Sequence, residues 1–142
     1  GEAVIIANGR TPDVLTRVMD GEDLGTLFLP ARKKLTSRKR WIGFTLRPKG
    51  RMYVDDGAFA ALSKRGKSLL ASGITDVGGG FERGDIVSIY TLSNKAEFAR
   101  GLTNYSSAEL MKIKGHSSTS IKKILGSKPY DEVVHRDNMV LI

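Results

Sequence analysis

The chain has 142 residues, 40% hydrophobic and 27% charged, with no cysteine and a formal net charge of +8, enough for one ordinary core and a small appendage. No stretch approaches the roughly 20 apolar residues of a transmembrane helix. The N-terminus lacks the positive flank and apolar core of a signal peptide, and without cysteine, disulfides and thiolate metal sites are excluded. A soluble globular protein of the cytoplasm with no membrane partner is expected.

The first 30 residues predict strand, helix and strand. Ala3-Val4-Ile5-Ile6-Ala7 is a continuous apolar run of the kind buried on both faces of a parallel sheet. Thr11 is placed to cap a helix with Pro12 at its first position and Asp13 in its first turn. Val14, Leu15, Val18 and Met19 then fall at helical spacing, and Gly21 stops the run. Gly25 to Pro30 gives a second apolar strand. A βαβ-like piece of this size cannot cover a parallel sheet. It reads as the torn edge of a larger α/β domain or, alternatively, as strands that join the sheet downstream.

Residues 31–47 form a basic linker. Residues 1–30 carry two basic and five acidic side chains, 31–51 nine basic and none acidic, and 52–142 twelve basic and ten acidic. The excess is therefore Arg32-Lys33-Lys34, Arg38-Lys39-Arg40, Arg47, Lys49 and Arg51. Such a cluster attracts phosphate by counterion release, and it equally suits docking on an acidic partner domain. Thr36 or Ser37 is the expected cap of a short helix, with Trp41, Ile42 and Phe44 anchoring it to a neighbouring surface and the charged heads in water.

From Pro48 onward, short strands alternate with turns. Strands are expected at 51–54, 74–77, 86–90, 96–102, 132–134 and 139–141, and short helices at 58–62, 106–113 and 117–125. Many short strands with glycine turns indicate a small barrel or sandwich. Arg83-Gly84-Asp85 reads as a turn holding two strands.

Several strings that carry chemistry elsewhere fail here on spacing. Gly66-Lys67-Ser68 would end a phosphate-binding loop, but the required earlier glycine position is Ala61. His135-Arg136-Asp137 matches a kinase catalytic loop, but the metal-binding asparagine would fall at Ile142. Gly78-Gly79-Gly80 has Arg83 where a dinucleotide fingerprint needs its third glycine. Two histidines, His116 and His135, are too few for a zinc site without distant carboxylates. Asp55 and Asp56 are adjacent at a strand end and point apart. No catalytic residue and no metal site is assigned.

Taken in order, Val4-Ile5-Ile6-Ala7-Asn8-Gly9-Arg10, Gly25-Thr26-Leu27-Phe28, Ser37-Arg38-Lys39-Arg40-Trp41-Ile42, Asp55-Asp56-Gly57-Ala58, Gly66-Lys67-Ser68-Leu69-Leu70, Gly73-Ile74, Phe81-Glu82-Arg83-Gly84-Asp85, Ala99-Arg100-Gly101 and His135-Arg136-Asp137-Asn138-Met139-Val140 closely resemble the C-terminal part of bacterial glutamate 5-kinases. The resemblance implies a mainly β fold with short helices. It assigns 1–30 to the edge of an amino-acid-kinase domain, 31–47 to the linker, and 48–142 to a PUA-type β-pseudobarrel. It implies a parent enzyme that transfers the γ-phosphate of ATP to the γ-carboxylate of L-glutamate with Mg²⁺, as the first committed step of proline synthesis. ATP and Mg²⁺ would be held upstream of Gly1, and this piece alone would be inactive. Its partners would be its own kinase domain, reached through Arg38, Lys39, Arg40 and Trp41, and further copies in a homo-oligomer. Residues 118–123 depart from the family pattern, with Ser120 in place of a common glutamate and with Lys122 and Lys123 in place of common acids.

Two functions remain: a regulatory and assembly module of a biosynthetic kinase, or an RNA-binding module attached to one. Lys64, Arg65 and Lys67 follow the first helix of the domain, where related PUA domains meet RNA, and Lys112, Lys114, Lys122 and Lys123 would extend that face. An ordinary solvated basic face is the competing reading. Tyr53, Tyr90 and Tyr105 are candidates for stacking on bases, but they show no platform spacing along the sequence and are assigned to core or rim.

Overall fold

The computed structural model describes residues 2–30, 36–45 and 47–142, and the chain forms two compact units, Gly1–Lys34 and Leu35–Ile142. Arg32, Lys33 and Lys34 of the basic cluster lie outside the described residues.

In the first unit, β1 (Val4–Ile6) pairs with β2 (Thr26–Phe28) in a two-stranded sheet that is antiparallel, with Ile6 opposite Thr26. The expected parallel βαβ geometry is thus replaced by an excursion that returns to the end of β1 it left. Gly25, with φ of +86°, permits this closure, because a Cβ there would collide with the Ile6 carbonyl oxygen. The alternative in which these strands join the downstream sheet does not hold. Helix α1 (Val14–Met19) starts later than Thr11. Asp13 takes the left-handed conformation, which aspartate tolerates better than most residues, and Thr11 and Val14 donate backbone bonds to Asn8 and Thr11 in the preceding turns.

The second unit is a five-stranded sheet in the order β4-β3-β5-β6-β7, from β3 (Gly50–Val54), β4 (Ile74–Gly78), β5 (Ile86–Thr91), β6 (Glu97–Leu102) and β7 (Met139–Leu141). The β3–β5 pair is parallel and the others antiparallel. Met52, Val54, Val87, Ile89 and Ala99 point to one face, where they pack with Leu62, Leu69, Leu110, Ile113, Ile121 and Val133. These come from helices α3 (Asp56–Arg65), α4 (Ser107–Ile113) and α5 (Ile121–Leu125) and from two loops. Gly101 is required where β6 passes the loop, since a Cβ there would collide with Val134.

Several boundaries differ from expectation. Helix α3 runs longer than 58–62, because Asp55 caps it by accepting from the Ala58 amide at 2.7 Å and Gly66 ends it at φ of +58°. Helix α5 begins only at Ile121, after the hydroxyls of Ser117, Thr119 and Ser120 bond to one another. The strand expected at 132–134 is a single bridge between Leu69 and Val134.

A bulge in β6 has a consequence for the surface. Ile89 faces Ala99 but Tyr90 faces Glu97, so Phe98 is the extra residue and packs edge-on against Phe59 at 4.8 Å at the margin of the core. Glu97 is thereby re-aimed to the outer face, accepting from Ser88 Oγ at 2.6 Å and from Arg100 Nε at 2.7 Å.

The described part of the basic linker packs with this unit. Thr36 caps α2 (Ser37–Arg40) through the Lys39 amide, and the helix continues into a π-helical turn at Trp41–Thr45. Ile42 is fully buried against Ile86 and Val140, with Leu102 beside them, and Arg100 donates to the Gly43 carbonyl at 2.9 Å. Of the three expected anchors only Ile42 is buried. Trp41 and Phe44 are 43% and 65% exposed, because one face of so short a turn can meet the sheet.

Candidate functional site

The residues singled out near the first helix of the domain are set by its two ends. Helix α3 places Lys64 and Arg65 in its last turn, where cations suit the negative end of the helix. Left-handed Gly66 then turns the chain so that Lys67 leads into the Leu69–Val134 bridge, and Ser68 Oγ accepts from the Arg136 amide at 3.0 Å. Between α3 and residues 67–73 lies a groove of about 590 Å³ with an apolar floor that includes Ala58, Leu62 and Leu69. Its far wall, the 3-10 turn Ala71–Gly73, touches α3 closely. A Cβ on Gly73 would lie 2.5 Å from that of Ala58, which explains the Gly57-Ala58 and Gly73-Ile74 strings as packing.

Arg65 and Lys67 line this groove, whereas Lys64 is exposed but does not. Lys114 sits near the far wall, where the Gly115 amide donates to the Ala71 carbonyl at 2.8 Å, and its ammonium is engaged with Asp76 at 2.8 Å. That contact holds the Asp76 carboxyl below its usual range. Lys112, Lys122 and Lys123 are exposed and do not line the groove. The structure therefore gathers two of the seven basic candidates at one concavity and leaves the others at its surroundings or on α4 and α5.

Arg38 and Arg40 are exposed on α2 beside Trp41. Lys39 is half-buried and borders a small cleft with Gly66, Arg136 and Asp137.

The Arg83-Gly84-Asp85 segment is a turn, as expected. Gly84 has φ of +84° and donates to Thr103 at 2.7 Å, and the Asp85 carboxylate accepts from the Glu82 amide and pairs with Lys49, each at 2.8 Å. Both contacts lower the Asp85 carboxyl, that of Lys49 most. Arg83 reaches across to Glu109, which also closes a capping box with Ser106 at the start of α4. The Arg83 guanidinium is the main reason the Glu109 carboxyl falls to about 2.

The three tyrosines divide. Tyr105 is fully buried, donates its hydroxyl to the Tyr130 carbonyl, and is pushed up by burial. Tyr53 and Tyr90 are half-buried neighbours on β3 and β5, with ring centroids 5.5 Å apart. Residues 37 apart in sequence gave no platform spacing; only the parallel register of β3 and β5 reveals the pair.

Among the described residues no three histidine, cysteine or carboxylate side chains gather as a metal site. No helix there is long and apolar enough to cross a membrane.

The mixed sheet, with α3, α4 and α5 on one face and the α2 segment packed by Ile42 on the other, and the groove beside α3, define a small β-domain of a recurrent kind. The PUA domain pattern matches residues 50–125, and the chain belongs to the PUA-domain family. Over its whole length it is also similar to glutamate 5-kinases, 49% identical to that of Thermoanaerobacter sp. (strain X514) and 53% identical to that of Citrifermentans bemidjiense. It spans 38% of the length of each of these two relatives. Among solved structures it is similar to a PUA-domain protein of Aeropyrum pernix K1, with 27% identity, a TM-score of 0.47, and coverage of 62% of this chain and 41% of that one.

Proposed function

We propose that this chain is the PUA-bearing portion of a cytoplasmic glutamate 5-kinase and serves it as a regulatory and assembly module. The observation that carries the reading is that the match runs through both compact units without a break, at about half identity over all 142 residues. The parent would transfer the γ-phosphate of ATP to the γ-carboxylate of L-glutamate with Mg²⁺, as the first committed step of proline synthesis, on residues outside this chain. Two surfaces support a module that touches the rest of such an enzyme. The β1–β2 sheet is exposed at all six positions and apolar at every one but Thr26, and Trp41 and Phe44 stand exposed beside Arg38 and Arg40, a basic and aromatic face suited to an acidic partner domain. Homo-oligomeric assembly of the parent belongs to the same reading. The test is to delete residues 36–142 from the intact enzyme and measure kcat, the KM for both substrates, the response to end product, and oligomeric state. A change in any of these supports the module, and no change in all of them removes it.

A second reading is favoured by the groove itself. Arg65 and Lys67 flank it while its floor is apolar, an arrangement that suits an RNA strand with its phosphates on the cations and a base against the floor. Amide shifts from Gly57 to Ser72 that persist at moderate salt on adding RNA would support it. Shifts confined to residues 36–51 that vanish with salt would indicate counterion-driven attraction alone.

A further inference from the structure

The outer face of the five-stranded sheet carries side chains that neither reading uses. The strand register sets Asp76, Tyr53, Tyr90 and Glu97 side by side across β4, β3, β5 and β6. One step along, Arg51, Ser88 and Arg100 form the neighbouring row. The Tyr53 and Tyr90 rings are 5.5 Å apart with planes inclined by 33°, so the two half-exposed rings make one aromatic surface. Beside Tyr90 opens a polar pocket of about 360 Å³ bordered by Lys49, Arg51, Arg100 and Glu97. No residue lining it also lines the α3 groove.

The cations of this pocket are not equivalent. Arg100 is committed to Glu97 and to the Gly43 carbonyl, and Lys49 is paired with Asp85. Arg51 is exposed and has no ion-pair partner among the described residues. Its stem runs along Gly78, where an added Cβ would come within 3.1 Å of Arg51 Cγ. The site thus offers one free guanidinium beside fixed aromatic rings, with further positive charge on either side.

We infer that this face binds a nucleotide unit, its base against Tyr90 and Tyr53 and its phosphate on Arg51. Stacking on an aromatic side chain is tolerant of base identity, and guanidinium groups suit phosphate oxygens in a bidentate fork. A free mononucleotide and one unit of a single-stranded nucleic acid share this chemistry.

The full chain is titrated with a uridine hexanucleotide, with UMP and with inorganic phosphate, following tyrosine fluorescence and amide shifts of β3, β5 and β6. Binding of the hexanucleotide is expected to weaken about ten-fold in Tyr90→Ala and by a similar factor in Arg51→Glu, whose exposed position leaves the core untouched if Tyr90→Ala fails to fold. UMP shifting the same amides assigns the site to a single nucleotide, and a response to the hexanucleotide alone assigns it to a strand spanning both rings. Equal affinity for inorganic phosphate would overturn the stacking role. Binding that survives both substitutions but is lost in Lys64→Ala/Arg65→Ala/Lys67→Ala would move the ligand to the α3 groove and sink the proposal. Enzyme kinetics are no part of this readout, so its failure is distinct from that of the deletion experiment.

Discussion

The two compact units contain apolar strands of similar composition and use them in opposite ways. In the first unit Val4, Ile5, Ile6, Leu27 and Phe28 are each 44–62% exposed, and no residue of α1 is buried. In the second, Met52, Val54, Val87, Ile89 and Ala99 are fully buried. The difference follows from pattern and cover. Strands β3 and β4 alternate and need cover on one face only, which α3, α4 and α5 supply. Strand β1 is apolar at every position and needs cover on both, which a two-stranded sheet with one six-residue helix cannot give. An apolar run is thus a demand for neighbours; whether the demand is met depends on how much chain is at hand.

This contrast is tested most severely in the core of the second unit. Leu110 is fully buried at the centre of α4, so Leu110→Ala is expected to lower unfolding free energy by about 3 kcal/mol, read from urea denaturation. A loss below about 1 kcal/mol would mean that the core is looser than its zero exposure implies.

The boundary between the units is the next target. Ile42 belongs by sequence to the basic linker, yet it is fully buried against Ile86 and Val140. Ile42→Ala is expected to cost about 2 kcal/mol, observed in the same denaturation experiment. A neutral result would return residues 36–45 to the status of a tether and weaken the case for counting them with the sheet.

Much of this architecture was legible in local signals, and what was missed is non-local. The start of α4 at Ser106, the turn at Gly84 and the strands from β3 to β6 follow from residues adjacent in the chain, whereas the Asp55 cap that lengthens α3 emerged only from the structure. The bulge at Phe98 was not legible, because Ala96 to Leu102 reads as plain alternation until Phe59 is known to lie against the margin of the core. The Tyr53–Tyr90 pair and the free Arg51 needed the parallel register of β3 and β5, which no local pattern encodes. The antiparallel closure of β1 on β2 turns on Gly25 lying against the Ile6 carbonyl, a contact between residues 19 apart. Among the basic candidates, type and number could be read, but which of them meet at a concavity could not.

A smaller effect concerns how the second unit responds to acid. The Glu109 carboxyl is held at about 2 against an ordinary value of 4.5, chiefly by Arg83. A lowered folded-state value means that its contribution is fully present above 4.5 and is lost as pH falls from there toward 2. Arg83 is about half exposed, so solvent screening reduces the contribution to about 1–2 kcal/mol. Glu109→Gln is expected to destabilise the chain by that amount at pH 7 and to narrow the stability gap to the parent sequence as pH approaches 2. A constant gap across this range would show that the capping bonds to Ser106, rather than the charge, carry the effect.

The smallest expected effect lies in the first unit and cuts the other way. Leu27 is 56% exposed, so Leu27→Ala in this chain removes little buried area and is expected to change unfolding free energy by less than about 0.5 kcal/mol. In the proposed parent enzyme the same position would be covered, and the same substitution would then cost about 2–3 kcal/mol. Measuring it in both contexts makes the contrast quantitative. A cost of 2 kcal/mol already present in the 142-residue chain would mean that β1 and β2 find cover within it, and the comparison between a satisfied and an unsatisfied sheet would fail.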